Sequence, residues 1–134
     1  MRKRYAVIAI IALVVAIGFI TTKILLSRFE ANLQQLAHTE ISDVDLASAK
    51  DGDYLGSYSA FPVAAEVKVT IDNHAIKEIK LIKHNNGQGK GAEIIPEKVK
   101  ESQSLRVDSV SGATYSSKVI LNAIRNALLE SGAE

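Results

Sequence analysis

The reactive side chains that the sequence sets closest together lie between Asp108 and Ser117, in the stretch DSVSGATYSS. A carboxylate and several hydroxyls crowd around one glycine, just ahead of an apolar run. Two kinds of chemistry suit such a cluster. In the structural one, Thr114, Ser116 or Ser117 caps the following helix, because a hydroxyl accepts from its free N–H groups. Gly112 then supplies a left-handed turn, and Asp108 accepts backbone N–H groups within it. In the functional one, a hydroxyl at a helix start sits where phosphate is favoured, at unpaired N–H groups and the positive end of the dipole. A serine or threonine needs a base to become a nucleophile, and the motif holds no His or Lys. A reactive Thr114 therefore reads as an acceptor that another enzyme modifies, with no catalytic residue of its own.

Other groups narrow the possibilities. Cysteine is absent, which excludes a disulfide scaffold, a thiolate zinc site, an iron–sulfur cluster and a covalently attached c-type haem. The charges nearly balance, with 16 Lys and Arg against 15 Asp and Glu, so a nucleic-acid partner is not expected. The absence of Trp and the few aromatics argue the same way. His38 and His74 have no neighbours at metal-ligand spacing, so no metal site is expected. Upstream of the motif, HNNGQGKGAE follows a strand-like run, with Gly87, Gly89 and Gly91 at alternate positions. These glycines suit tight turns or the close approach of a ligand, and His84 stands at the head of the loop. The spacing is not a dinucleotide fingerprint. Tyr54, Tyr58 and Tyr115 could stack on a flat ring, or simply pack.

These groups need a scaffold, and its elements are legible. Residues 51 to 60 begin with a turn pair and continue as a short strand. AEVKVTI, 65 to 71, alternates strictly, with Ala65, Val67, Val69 and Ile71 on one side. Residues 75 to 84 form a second strand, with Lys77, Ile79 and Leu81 on one face, and Asp72-Asn73-His74 makes the turn of an antiparallel hairpin. Pro96 opens a short exposed helix whose main apolar contact is Val99. Residues 105 to 110 read as extended. From Ser117 to Glu130 an apolar stripe of Val119, Ile120, Ala123, Ile124, Ala127 and Leu128 predicts the longest helix of the domain, ended by Ser131-Gly132. The fold class is α+β: a small antiparallel sheet packed with one long C-terminal helix and a short helix.

A transmembrane helix precedes this domain in the sequence reading. Residues 5 to 20 carry no charge, and the apolar run resumes after Lys23 to Leu26. That length suits a membrane-spanning anchor over 5–26. Arg2, Lys3 and Arg4 form a basic flank, 1–4, that places the N-terminus in the cytoplasm. Lys23 and Arg28 oppose that vote. A cleaved signal peptide is the competing reading, but its small-x-small site, Ala16 to Gly18, lies inside the run. Residues 27–50 read as a juxtamembrane helix and a polar linker. Leu26, Phe29, Leu33 and Leu36 form a seam under two heptads long, suited to packing on its own domain or to a short dimerising stalk. The soluble domain is 51–134.

With these residues in place, a resemblance becomes specific. D-x-x-S-G-A-T, followed by hydroxyls and an apolar helix, resembles the attachment motif of the FMN-binding domain. That domain occurs in subunits of ion-pumping NADH:quinone and ferredoxin oxidoreductases, and in extracytoplasmic flavin reductases. DGDYLGSY resembles the family's opening strand, VTIDNHAIKEIKLIKH its hairpin, and GKGAEIIPEKVKESQSLRVDSVSGAT the run into its flavin site. His74 departs from the pattern, since a glycine is usual in that turn. The resemblance spans roughly residues 51 to 130.

The resemblance implies FMN as cofactor. A separate flavin transferase, using FAD and a divalent metal, would join FMN through a phosphoester to Thr114. Asp108, Ser111, Gly112 and Ala113 match the recognition positions. His84, Gly89 and Gly91 match the segment lining the flavin, and Ser117 is a further expected cofactor-binding residue. The expected protein is a single-pass, membrane-anchored extracytoplasmic flavoprotein. It would pass electrons between an outside donor and an outside acceptor, as a carrier or an oxidoreductase subunit rather than a stand-alone enzyme. The alternatives are a noncovalent FMN binder and a cofactor-free, membrane-anchored binding or assembly module.

Overall fold

The computed structural model describes residues 2–85 and 89–133. In chain order the elements are helix α1 (Arg2–His38), strands β1 (Gly52–Ala60), β2 (Val63–Asp72) and β3 (Ala75–Asn85), and helices α2 (Ile95–Ser102) and α3 (Thr114–Glu130). Short 3₁₀ turns occur at Leu46–Ser48 and Lys90–Ile94. The chain divides into two compact units, Met1–Gln35 and Leu36–Glu134.

In the first unit, α1 is long and apolar enough to cross a membrane over Tyr5–Arg28, with a mean hydropathy of 2.5. Those 24 residues rise about 36 Å along a helix, against about 30 Å of hydrocarbon. The threonine and serine hydroxyls of this stretch bond back to the helix, Ser27 Oγ to Ile24 O at 3.1 Å. Thr21 Oγ1 donates to the Ile17 and Gly18 carbonyls at 3.0 and 2.9 Å, and Thr22 Oγ1 to Gly18 at 2.8 Å. Such back-bonding is what a hydroxyl needs where no water is available. Lys23 Nζ lies 5.7 Å from the Phe19 ring centroid. Of the expected seam, the side chains of Phe29 and Leu33 lie outside the described residues.

The second unit is the α+β domain. Its sheet is a three-stranded antiparallel meander in the order β1-β2-β3. Ala65, Val67, Val69 and Ile71 of β2 are buried as the alternation requires. The facing surface comes from α3, where Val119, Ile120, Leu121, Ile124 and Leu128 are fully or almost fully buried. Burying each such side chain contributes roughly 1.5–3 kcal/mol. The helix ends in a Schellman motif: Gly132 takes φ 89°, Ala133 N–H donates to Leu128 O and Gly132 N–H to Leu129 O.

Gly56 sets how closely α3 approaches the sheet. It stands on the inner face of β1 opposite Val67. A Cβ there would lie 2.1 Å from Ala123 O and 2.5 Å from Ala127 N, inside the α3 backbone. The helix rests directly on the strand, and only glycine leaves the room.

β3 departs from the alternation read in the sequence. Two bulges interrupt its pairing with β2, leaving Lys77 and Ile82 without opposite partners. Each bulge flips the face of the residues after it. Ile76, Ile79, Leu81 and His84 therefore oppose the inward residues Ile71, Val69, Val67 and Ala65. Lys77, expected beside Ile79 and Leu81, is instead exposed and pairs with Asp72 at 3.0 Å. Strict alternation continued past Leu81 would have chosen Lys83; the bulge at Ile82 chooses His84.

The β2–β3 turn carries two left-handed residues, Asn73 at φ 52° and His74 at φ 58°. His74 holds that strained position through its ring, since Nδ1 lies 2.8 Å from Ala49 O. Residues 42–50, which read as a linker, are bound to the domain. Ala49 is fully buried, Lys50 N–H donates to Ser131 O, and Asp43 accepts from Ser104 Oγ at 2.6 Å and Leu105 N–H at 3.0 Å. Residues 105 to 110 pair in no strand.

Candidate functional site

The motif forms a turn and the first turn of α3. Ala113 N–H donates to Val110 O at 2.9 Å, closing a turn whose third residue, Gly112, takes φ 76°. Left-handed backbone is the reason for glycine there; around its missing Cβ the space is open. The helix then begins at Thr114, three residues earlier than the apolar stripe suggested.

The hydroxyls do not cap it. The N-cap residue is Ala113, which makes no side-chain cap bond, and no side-chain bond to the free N–H groups is found among the described residues. Ser116 and Ser117, expected as caps, lie inside the first turn and are buried. Ser117 works in the opposite sense. Its Oγ accepts from Val110 N–H at 3.0 Å and donates to Ala113 O at 2.9 Å, so it ties the loop back to the helix. Asp108 is exposed and accepts no hydrogen bond from any described residue, which removes its expected turn role.

Thr114 is thereby left available. It is exposed and first in a 17-residue helix, and its hydroxyl has no partner among the described residues. Helical bonding starts with Ser117 N–H to Ala113 O, so the preceding N–H groups have no helical acceptor. Ser111 is exposed beside it. The basic side chain nearest to it in the sequence, Lys118, one turn along, gives its Nζ to Thr39 O at 2.8 Å.

Tyr115 fixes this helix end to the sheet. Its hydroxyl donates to Ala60 O at 3.0 Å and reaches Phe61 O at 3.3 Å, in the β1–β2 turn. Burial, and then Tyr58 nearby, push its phenol above the ordinary value. Tyr54 likewise bonds Lys50 O, at 3.2 Å. Both tyrosines are packing residues here. Sequence reading passed over Phe61, which is 82 % exposed on the turn that Tyr115 holds. Its signal was the Phe-Pro pair between two alternating runs.

The glycine loop reaches the same end of the sheet. Gly87 lies outside the described residues. Gly89 has φ −88°, and its carbonyl accepts from Ala92 N–H at 3.0 Å. A Cβ at Gly91 would meet Val110 Cγ1 at 3.5 Å and Ala113 Cβ at 3.9 Å, so Gly91 abuts the motif at ordinary contact distance. Neither position needs glycine for its backbone angle. Two residues further on, Glu93 Oε1 lies 3.3 Å from His84 Nδ1. The His84 side chain is 2 % exposed, and its Nε2 has no partner among the described residues. Thr114, Gly91 and His84 are thus linked through a single 3₁₀ turn. Glu40, Asp43, Arg106, Val107 and Lys118 line an open groove of about 640 Å³.

Fold and site together define a small α+β domain that presents a threonine at a helix start, flanked by a glycine loop and a buried histidine. The model of the FMN-binding domain family matches residues 63–129, half of the chain, and this chain belongs to that family. No curated protein matches the chain. The residues fit an FMN. The helix start suits a phosphate, and the orphaned buried nitrogen of His84 suits a polar group of the flavin.

Proposed function

We infer that this protein is a membrane-anchored, extracytoplasmic flavoprotein that carries FMN covalently on Thr114 and passes electrons between redox partners. Membership of the FMN-binding domain family supports the flavin. The observation that carries the covalent reading is the exposed Thr114 hydroxyl at the start of α3, without a partner among the described residues, in a loop that Ser117 ties to the helix.

The attachment balances as a phosphoryl transfer. The Thr114 oxygen bonds to the flavin-side phosphorus of FAD, the phosphoanhydride breaks, and AMP leaves. The base comes from the transferase, because Lys118 is occupied and His84 is buried. Asp108 and Ser111, both exposed in the same motif as Thr114, are the side chains offered for recognition. Once attached, FMN supplies the redox chemistry, and the protein holds and orients it. Ser117 sets the loop that would bear it, and the N–H groups of the first turn would be available to its phosphate.

The anchor reading rests on the length and apolarity of α1 and on Arg2, Lys3 and Arg4 before it. It puts the domain outside the cytoplasm, where a covalent bond keeps the cofactor from being lost by dilution.

Intact-mass measurement tests the claim. Co-expressed with a flavin transferase, the chain gains the mass of FMN less water, on the peptide containing Thr114. A normally folded, colourless chain with no added mass rejects the flavoprotein reading. Colour that is lost on denaturation, without added mass, selects the noncovalent alternative.

A further inference from the structure

Two buried side-chain nitrogens have no partner among the described residues, His84 Nε2 and Arg125 Nε. Arg125 is half-buried, and its guanidinium has four other N–H groups with which to find water. His84 has no such reserve: its side chain is 2 % exposed and only this nitrogen remains. The bulge at Ile82 turns the ring inward, opposite Ala65. Glu93 then fixes its chemistry. A carboxylate only accepts, so the 3.3 Å contact places the hydrogen on Nδ1. In the neutral ring Nε2 keeps its lone pair and asks for a donor.

We propose that His84 Nε2 accepts a hydrogen bond from an N–H or O–H group of the flavin, and that Glu93 holds it in that tautomer. This rests on the FMN reading given above. Most polar atoms of the oxidised flavin ring are acceptors and would leave Nε2 unpaired. The donors are the imide N–H of the ring and the hydroxyls of the ribityl chain. The tether and the acceptor stand on either side of the Lys90–Ile94 turn, because Gly91 abuts Ala113 while Glu93 engages His84. His84 is a positioning residue for the cofactor and exchanges no electrons itself.

The test uses the full chain in detergent micelles with ¹⁵N-labelled histidine, with and without loading by a flavin transferase. Intact mass establishes loading before any spectrum is taken. Loss of signals in His84→Gln assigns the ring. His74, bonded to Ala49 O at the opposite end of β3, is the internal reference. In buffer alkaline enough to keep an ordinary imidazole neutral, His84 Nε2 resonates as an unprotonated nitrogen. On loading it moves toward the protonated side, while His74 stays. A loaded chain whose Nε2 signal does not move, or an Nε2 already protonated in the unloaded chain, overturns the proposal. The midpoint potential of loaded His84→Leu then separates the two donors, either of which upholds it. A ring imide partner changes the reduction equilibrium about tenfold, or about 30 mV for two electrons. A ribityl partner leaves the potential in place. Absence of added mass on the wild-type chain fails the FMN reading instead, and is seen first.

Discussion

The two ends of the sheet treat their polar groups in opposite ways. At the β2–β3 turn they are consumed internally. Gln103 bonds the N–H and the carbonyl of Ile76 and the carbonyl of Lys100, His74 bonds Ala49 O, and Asp43 binds Ser104 and Leu105. At the other end, where α3 begins beside the β1–β2 turn, the Thr114 hydroxyl and His84 Nε2 have no partner among the described residues. Both ends carry a histidine of β3 or its turn, and only one is left with an unpaired buried nitrogen. Polar groups secure the fold at one end and stand unpaired at the other.

Substitutions at five positions break or sharpen that contrast. The largest effect belongs to the open end. Thr114→Val abolishes FMN attachment, read by intact mass, while stability changes by about 0.5 kcal/mol or less. Thr114→Ser keeps attachment, because the hydroxyl is what matters. A stability loss comparable to a core substitution in Thr114→Val would show that this end is not spare.

Gly56→Ala strikes what both ends share. The new methyl collides with the α3 backbone, and the expected cost is about 3 kcal/mol, measured by denaturant unfolding in detergent. An unchanged midpoint would refute the direct rest of helix on strand. At the closed end, Gln103→Ala strips the Ile76 N–H and carbonyl of their partners and costs about 2 kcal/mol, with FMN attachment intact. The same measurement on Ser117→Ala, at the open end, gives about 1 kcal/mol together with slower attachment, since the Val110 N–H loses its acceptor.

The smallest effect is a pH dependence. Burial pushes the Asp43 carboxyl up, but hydrogen bonds from Ser104, Leu105 N–H and Val44 N–H, with Arg106 nearby, outweigh it and hold it below the ordinary carboxylate value. A group depressed in the folded state stabilises above its unfolded pKa, and that contribution is lost as pH falls through the folded value. Asp53 is depressed too, through Thr70 and Lys68, and titrates in the same acid window. The check is therefore a difference: Asp43→Asn flattens the acid limb of the stability profile relative to wild type. Identical limbs would remove Asp43 from the closed end.

The sequence exposed the features that depend on neighbours in the chain. The alternation of Ala65 to Ile71, the stripe from Val119 to Leu128 and the Ser131-Gly132 stop are local signals, and each appears where it was read. The features it concealed depend on partners far along the chain. Nothing near Ile82 marks the bulge that turns His84 inward. Gly56 looks like a strand weakness until Ala123 is laid over it. The polar run around Asp43 resembles a linker because its partners, Ser104 and Leu105, lie some sixty residues away. The serines after Thr114 resembled caps because capping is the common local use of such residues; the loop's need for a donor and an acceptor at Ser117 overrode it.

The two hydrogen bonds of Ser117 bear on the order of events in the protein's making. Val110, Ala113 and Ser117 are brought together only once the loop has closed and the first turn of α3 has formed. If Thr114 carries the cofactor as proposed, an enzyme modifying it would meet a shaped surface, not an extended peptide. Maturation would then follow folding, and a chain that failed to fold would not consume cofactor.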